Sequence, residues 1–209
     1  MKILDKPRII KSEMCLCSQN ISYTLYGYLS ESYSKLQKFS NIYCKGNFDE
    51  KFEIKISDNF IVLPISVGIS ANGISIEPET CGFFSGFQQL VNFENLHENT
   101  ISNFLLIEHT FKNIQSEITE INFIDFNSFA TVIDSEELKI EVGVFEGRVN
   151  HEIIDSNTNS KNLFFVINGA FELQNILLEH QDMLILHNEH KIEFESLAQH
   201  STLLSITLK

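Results

Sequence analysis

Two stretches of this chain follow one plan, and that repetition limits what it can fold into more than any other feature. "LPISVGISANGISIEPETCGFF" and "FVINGAFELQNILLEHQDMLIL" each run from an apolar strand pattern through a glycine turn to an acidic corner, then back into apolar residues. Gly68 and Gly169 stand 101 residues apart, and the corners opening at Glu77 and Glu179 stand 102 apart, so one inserted residue brings the copies into line. The match continues outward. "FEIKI" (Phe52 to Ile56) aligns with "LKIEV" (Leu138 to Val142), and "NFLLIEH" (Asn103 to His109) aligns with the closing "LLSITLK". A repeat of this kind organises a whole fold. Each unit is a set of strands, read from alternating apolar and polar residues broken by turn residues, and each closes on an apolar strand that reads as a last barrel stave.

Composition agrees with strands. The chain holds 18 Phe, is 43% hydrophobic and 21% charged, and has Ile in short runs, which favours sheet over helix and suffices for a core. A length of 209 residues suits one large all-β domain or two small ones. With the repeat, the expected division is an N-terminal barrel over residues 1–115, a crossing segment over 116–137 and a C-terminal barrel over 138–209. Alternating apolar residues such as Ile121, Phe123 and Phe126 mark the crossing as ordered. One short helix is expected in "ESYSKLQKF", Glu31 to Phe39.

Several function classes are excluded. A net charge of −13, with Arg8 and Arg148 as the only arginines, repels a phosphate backbone, which argues against direct nucleic-acid binding. The acidity reads as a solvated surface. Lys2, Lys6 and Arg8 open the chain, but no apolar stretch of signal-peptide length follows them. The longest apolar segment, "FIVLPISVGI", is interrupted by Pro64 and falls short of the roughly 20 residues that cross a bilayer. The expectation is a cytoplasmic protein without a membrane span. Cys15, Cys17, Cys44 and Cys81 scatter through the first half and read as reduced thiols, and "CLC" lacks the second pair or nearby histidine of a zinc site. There is no glycine-rich phosphate loop, GxSxG elbow or HExxH helix. The carboxylate pairs Glu77 with Glu79 and Glu136 with Glu137 read as solvated corners.

The C-terminal run "GVFEGRVNHEI", "LFFVINGAFELQNILLEHQDMLIL" and "IEFESLAQHSTLLSITL" is similar to the second barrel of the pirin-like proteins. The first half resembles their shorter bacterial members through "FIVLPISVGI", the "EPE" corner (Glu77 to Glu79) and "NFLLI" (Asn103 to Ile107). Together these cover residues 20 to 209. The resemblance implies an all-β chain of two tandem cupin barrels (jelly-roll, RmlC-like) with little helix. In that family, and in the quercetin dioxygenases similar to it, a divalent metal sits in the first barrel on an HxH pair and a later His and carboxylate. Such a set leaves coordination positions open for oxygen or substrate.

This sequence departs from that pattern. No histidine occurs before His97, so the region that corresponds to the HxH pair, within Tyr23 to Lys55, contains none. His97 and His109 come too late and too far apart to rebuild the site, and Glu108 beside His109 is only superficially a ligand pair. The second barrel has more histidine: His151, His180, His187, His190 and His200. Alternation along "RVNHEI" puts Val149, His151 and Ile153 on one face and Arg148, Asn150 and Glu152 on the other. His187 continues the face of Met183 and Ile185, so it too is expected to look inward. With Glu172 or Glu193 the two imidazoles would form a site of two His and one carboxylate. Against this stand the missing HxH pair and Ile192, where the resemblance would put a ligand. Arg148 is an anchor for an anionic ligand, or a structural partner of Glu146 or Glu152.

The ligand-binding candidates are therefore Arg148, His151, Glu172 and His187, with no metal ligand and no catalytic residue assigned. The leading reading is a pirin-like protein that lacks the family's N-terminal metal site and is not an enzyme. It carries no cofactor and serves as a binding or regulatory protein for an unknown small molecule or protein partner. The alternative is a metal-dependent dioxygenase with a displaced site in the second barrel. Cupin sheets often pair, so a homodimer stays open.

Overall fold

The computed structural model describes residues 7–20, 22–29, 35–45, 51–56, 59–85, 90–111, 116–123, 125–155 and 159–209. In chain order the first strands are β1 (Arg8–Ile10), β2 (Leu16–Gln19), β3 (Tyr23–Leu29), β4 (Leu36–Cys44), β5 (Phe52–Lys55), β6 (Asn59–Pro64) and β7 (Ile69–Ala71). There follow β8 (Ile74–Ile76), β9 (Thr80–Phe84), β10 (Leu90–Asn95), β11 (Ser102–His109), β12 (Glu117–Glu120), β13 (Ser128–Asp134) and β14 (Leu138–Phe145). The last are β15 (Asn150–Ile154), β16 (Lys161–Asn168), β17 (Phe171–Leu173), β18 (Ile176–Leu178), β19 (Met183–His187), β20 (Lys191–Ser196) and β21 (Ser201–Leu208). A single 3-10 turn at Ser12–Met14 is the one helical element among the described residues.

The chain divides into two units, Cys15–Ile121 and Met1–Met14 with Asn122–Lys209. In the first, a large sheet runs β12-β9-β6-β11-β4-β3-β2 and a small one runs β5-β10-β7-β8. In the second, the large sheet runs β1-β19-β16-β21-β14-β13 and the small one β15-β20-β17-β18. Each position has its counterpart, from β12 and β1 through to β3 and β13. The exception is β2, an extra strand beyond the shared pattern. This all-β architecture is the one expected from the repeat.

Four expectations need correction. Residues 8–10 belong to the C-terminal unit, where β1 pairs with β19 through Arg8 and Ile185, and not to an N-terminal barrel over 1–115. The segment 116–137 is no separate crossing, because β12 completes the first unit's large sheet against β9 and β13 pairs with β14 in the second. "FEIKI" and "LKIEV" are not counterparts either: the first forms β5 of a small sheet, and the second opens β14 of a large one. Alternation reports that one face of a strand is buried, and it does not report in which sheet. The expected helix is absent at its described end, since Leu36 to Phe39 begin β4, while Glu31 to Ser34 lie outside the described residues.

The repeated turns are matched in chemistry. Asn72 (φ 51°) and Gly73 (φ 81°) make the two-residue hairpin between β7 and β8, a geometry that calls for positive φ at both places. Gln174 (φ 50°) and Asn175 (φ 61°) do the same between β17 and β18 without glycine. Both loops are tied to the neighbouring strand: Asn72 Oδ1 accepts from the Asn92 amide at 2.9 Å, and Gln174 Oε1 from the Glu193 amide at 3.2 Å. At the acidic corners the Thr80 amide donates to Glu77 O and the Asp182 amide to Glu179 O.

Asp182 has a further task. Its carboxylate, 2% exposed, accepts from Lys11 Nζ at 2.5 Å, the Ser12 amide at 3.1 Å and the Glu179 amide at 2.8 Å. The corner thereby holds the segment that follows β1.

Each unit encloses an apolar interior between its two sheets. In the first unit Ile42, Cys44, Phe60, Val62, Phe84, Phe104 and Leu106 from the large sheet meet Phe52, Ile69, Ala71, Ile76, Val91 and Phe93 from the small one. In the second, Phe145, Phe164, Val166, Leu184, Leu186 and Leu203 meet Phe171, Leu173, Leu178, Ile192 and Phe194.

Candidate functional site

The inward residues of each strand decide what each interior can bind. On β15 the exposed Asn150, Glu152 and Ile154 alternate with the half-buried His151 and Ile153, and Ile153 packs on the interior cluster. His151 therefore faces inward, as its alternation predicts. It lies opposite Phe194 in the register of β15 and β20. The two rings stack with centroids 5.1 Å apart at 26°, and the edge of Phe145 closes the box at 4.9 Å and 64°. His151 Nε2 is buried and has no hydrogen-bond partner among the described residues. Desolvation holds the imidazole below its ordinary pKa of 6.5, because the charged form is the one that needs water. The result is a neutral ring with one spare hydrogen-bonding nitrogen between phenyl walls.

The first unit shows what this position is without a nitrogen. Phe52 on β5 lies opposite Phe93 on β10, stacked at 5.6 Å and 23°. Phe93 continues to Phe104 at 5.2 Å, and Tyr23 covers Phe52 at 4.6 Å. His151 thus stands where the first unit has phenylalanine. Replacing His151 by Phe is expected to raise stability, since a buried unpaired nitrogen is removed and the ring stack kept. The pH dependence gives the sign. A histidine whose folded pKa is depressed takes up its proton more readily when unfolded, so its presence weakens the fold as pH falls below 6.5. Urea midpoints of wild type and His151→Phe should therefore diverge between pH 7.5 and pH 5.5, and parallel midpoints would refute this account.

The other candidates do not join His151. His187 lies on the same face of β19 as Met183 and Ile185, but the interior is lined by Leu184 and Leu186, so His187 points away from the barrel interior. The expectation that it looks inward is overturned because both faces of β19 are apolar and alternation alone does not choose between them. Glu172 sits between the interior residues Phe171 and Leu173 and faces outward, and Glu193 does likewise between Ile192 and Phe194. Two histidines and a carboxylate are therefore not assembled. Arg148 precedes β15 with φ 65°, its side chain is 73% exposed, and it reaches Glu195 at 3.6 Å, neither Glu146 nor Glu152. Its weak, solvated pairing makes no anion clamp.

Glu172 shares the outer face of the small sheet with Asn150, Gln174, Glu193 and Glu195, around a hollow of about 130 Å³. Lys191 neutralises part of this face, bonding Glu193 at 2.6 Å and Glu152 at 3.1 Å, and those bonds hold its ammonium above the usual range. No group of three or more His, Cys, Asp or Glu side chains suited to a metal occurs among the described residues.

Residues missed by sequence reasoning include Phe145 and Phe194, which form the walls around His151. The repeat carried a signal for one of them, since Phe194 stands 101 residues after Phe93. Missed too was the polar cluster at the other end of β15. There Ser160 Oγ bonds Asp155, Asn162 Nδ2 reaches Asp155 at 3.4 Å, and Thr207 Oγ1 donates to Asn162 Oδ1 at 2.8 Å. In the first unit Glu108 is 2% exposed and takes Lys38 Nζ at 3.1 Å, while His109 Nδ1 accepts from the Phe111 amide at 3.2 Å. As neighbours on one strand, Glu108 and His109 face opposite ways and do not act on one ion.

No histidine lies among the described inward residues of β5 and β10. The inward positions of β5 are Phe52 and Ile54, and those of β10 are Val91, Phe93 and Asn95; the first four are apolar and packed on the interior cluster, and Asn95 donates to Cys44 O and Thr100 O. Hydrocarbon donates nothing to a cation.

No known family matches this chain in sequence, and no curated protein does. Solved structures do match in shape. The bacterial pirin YhhW of Escherichia coli, crystallised with nickel(II), superposes with a TM-score of 0.81 at 9% identity, over 97% of this chain and 99% of that one. A quercetin 2,3-dioxygenase of Acinetobacter baumannii gives 0.75 at 9% identity, over 97% and 85%. AerE of Microcystis aeruginosa gives 0.66 at 12% identity, over 97% of each. At these identities the likeness is one of architecture, and on it the chain has an all-β cupin fold like that of these proteins.

Proposed function

We propose that this chain is a pirin-like binding or regulatory protein that does not use its first barrel as a metal centre. The observation that carries this reading is the pair of inward faces on β5 and β10, where Phe52, Ile54, Val91 and Phe93 fill the interior. A dioxygenase of the fold needs open coordination positions on a cation, and an interior packed with phenyl rings supplies neither ligand nor space. The alternative, a displaced centre in the second barrel, asks His151, His187 and Glu172 to converge, and their side chains leave β15, β19 and β17 toward different sides. What the second barrel offers a small molecule is the neutral His151 between Phe145 and Phe194.

Nickel(II), the ion held by the Escherichia coli pirin, is the probe of choice. Tag-free protein is incubated with nickel(II) or iron(II), passed through gel filtration and measured by elemental mass spectrometry. The expected content is far below one metal per chain for both. A content near one, lost on His151→Ala, would overturn the reading in favour of the second-barrel enzyme. A content near one that survives it would place a metal elsewhere and overturn the reading equally.

A further inference from the structure

We infer that the outer face of the first unit's small sheet is a binding site for a neutral polyhydroxylated ligand, a free sugar or one residue of a glycan chain. There Lys51, Ser70, Asn72, Gly73, Asn92 and Glu94 surround a hollow of about 440 Å³, which has room for such a ligand. Its floor is Ser70. Ile69 and Ala71 on either side of it pack on the interior, so the Ser70 side chain leaves β7 on the opposite, outward face. Ser70 is 4% exposed, yet its hydroxyl has no hydrogen-bond partner among the described residues. Buried polar groups are ordinarily paired, and an unpaired one at the floor of a hollow is placed to meet a ligand.

The lining selects the chemistry. Asn72 Oδ1 accepts from the Asn92 amide at 2.9 Å, which leaves Asn72 Nδ2 as a donor. The exposed Asn92 side chain offers both a donor and an acceptor. Glu94 accepts, and Lys51, 3.3 Å from it, donates and cancels its charge. Ser70 lies opposite Glu94 in the register of β7 and β10, and its hydroxyl does both. An anion calls for donors alone and a cation for acceptors alone. A sugar hydroxyl donates and accepts at once, so a lining that mixes the two without net charge matches a row of hydroxyls. Gly73, where a Cβ would meet nothing within 4 Å, leaves the rim open. The second unit shows that the fold does not impose this lining. Ser70, Asn92 and Glu94 are matched there by Glu172, Glu193 and Glu195, each at the same place in its strand, around a hollow of about 130 Å³.

The test uses the full chain, labelled with nitrogen-15 and titrated with D-glucose, D-galactose, D-mannose and maltotriose. At least one of these neutral probes is expected to shift the amides of Ser70, Gly73, Asn92 and Glu94 saturably, while those of the second unit's small sheet stay in place. A response to a monosaccharide assigns a free sugar, and a response to maltotriose alone assigns a glycan chain. Asn92→Ala, which keeps the backbone amide that ties Asn72, and Glu94→Gln are each expected to weaken binding by roughly tenfold, the effect of one ligand hydrogen bond. Glu193→Ala, at the counterpart of Asn92, serves as control and should leave binding unchanged. Shifts with none of the probes overturn the inference, and so do shifts that both first-unit variants leave intact or that centre on the second unit. None of these outcomes bears on metal content, so this inference and the proposed function fail separately.

Discussion

Replacing Phe93 by alanine is expected to cost about 4 kcal/mol, in the range found when a buried phenyl is cut from a packed core. Phe93 is fully buried and joins three rings, with Phe52 at 5.6 Å, Phe104 at 5.2 Å and Phe60 at 6.5 Å. Its loss removes the centre of the stack that fills the first barrel, and the strands around it cannot collapse onto the void without breaking their ladders. The measurement is the urea midpoint, taken with a probe for each unit because a chain of two units need not unfold in one step. Phe194→Ala, at the same place in the second unit, is expected to cost less, since its neighbour His151 is half-buried at the end of its strand. Equal costs would mean that the two interiors are closed to the same degree.

The second large effect is expected at Asp182. Asp182→Ala removes the acceptor of the Ser12 and Glu179 amides and the counter-ion of Lys11, at about 3 kcal/mol in total. Most of that comes from the amides. Lys11 is 32% exposed and can turn to water. Asp182→Asn keeps one carbonyl acceptor and should lose roughly half as much. Hydrogen exchange locates the damage: amides of Arg8 to Ile10 should lose protection before those of β16 or β21. Uniform loss across the unit would mean that the corner supports the whole barrel and not the docking of β1.

The fold was readable because the repeat writes strand, glycine turn and acidic corner twice. Glu77 and Glu179 do open equivalent corners, whereas Gly68 and Gly169 share a connection but not a position, since Leu96 N bonds Gly68 O where Leu197 N bonds Ala170 O, and of the two only Gly169 has a positive φ. Readability ended where one pattern fits two places. "FEIKI" and "LKIEV" alternate alike, yet a small-sheet strand and a large-sheet strand present the same alternation. His187 was misplaced for a related reason, since a strand apolar on both faces gives no direction to its last residue. His151 was placed correctly because its strand is polar on one side. What no local pattern showed is that β1, next in sequence to the first unit, belongs to the second. That pairing rests on residues more than 170 positions away.

The pairing of β1 with β19 also sets an order of events during synthesis. Arg8 to Ile10 are made well before the strand they dock on, Met183–His187. Pairings so distant in sequence form late, and until then both strands offer open edges to other chains. The first unit, whose strands all lie within Cys15–Ile121, has its whole sequence available well before the ribosome reaches β19. The nascent protein thus passes through a stage in which the first unit is complete while β1 still waits, and the closing of the second barrel is the act that retires it.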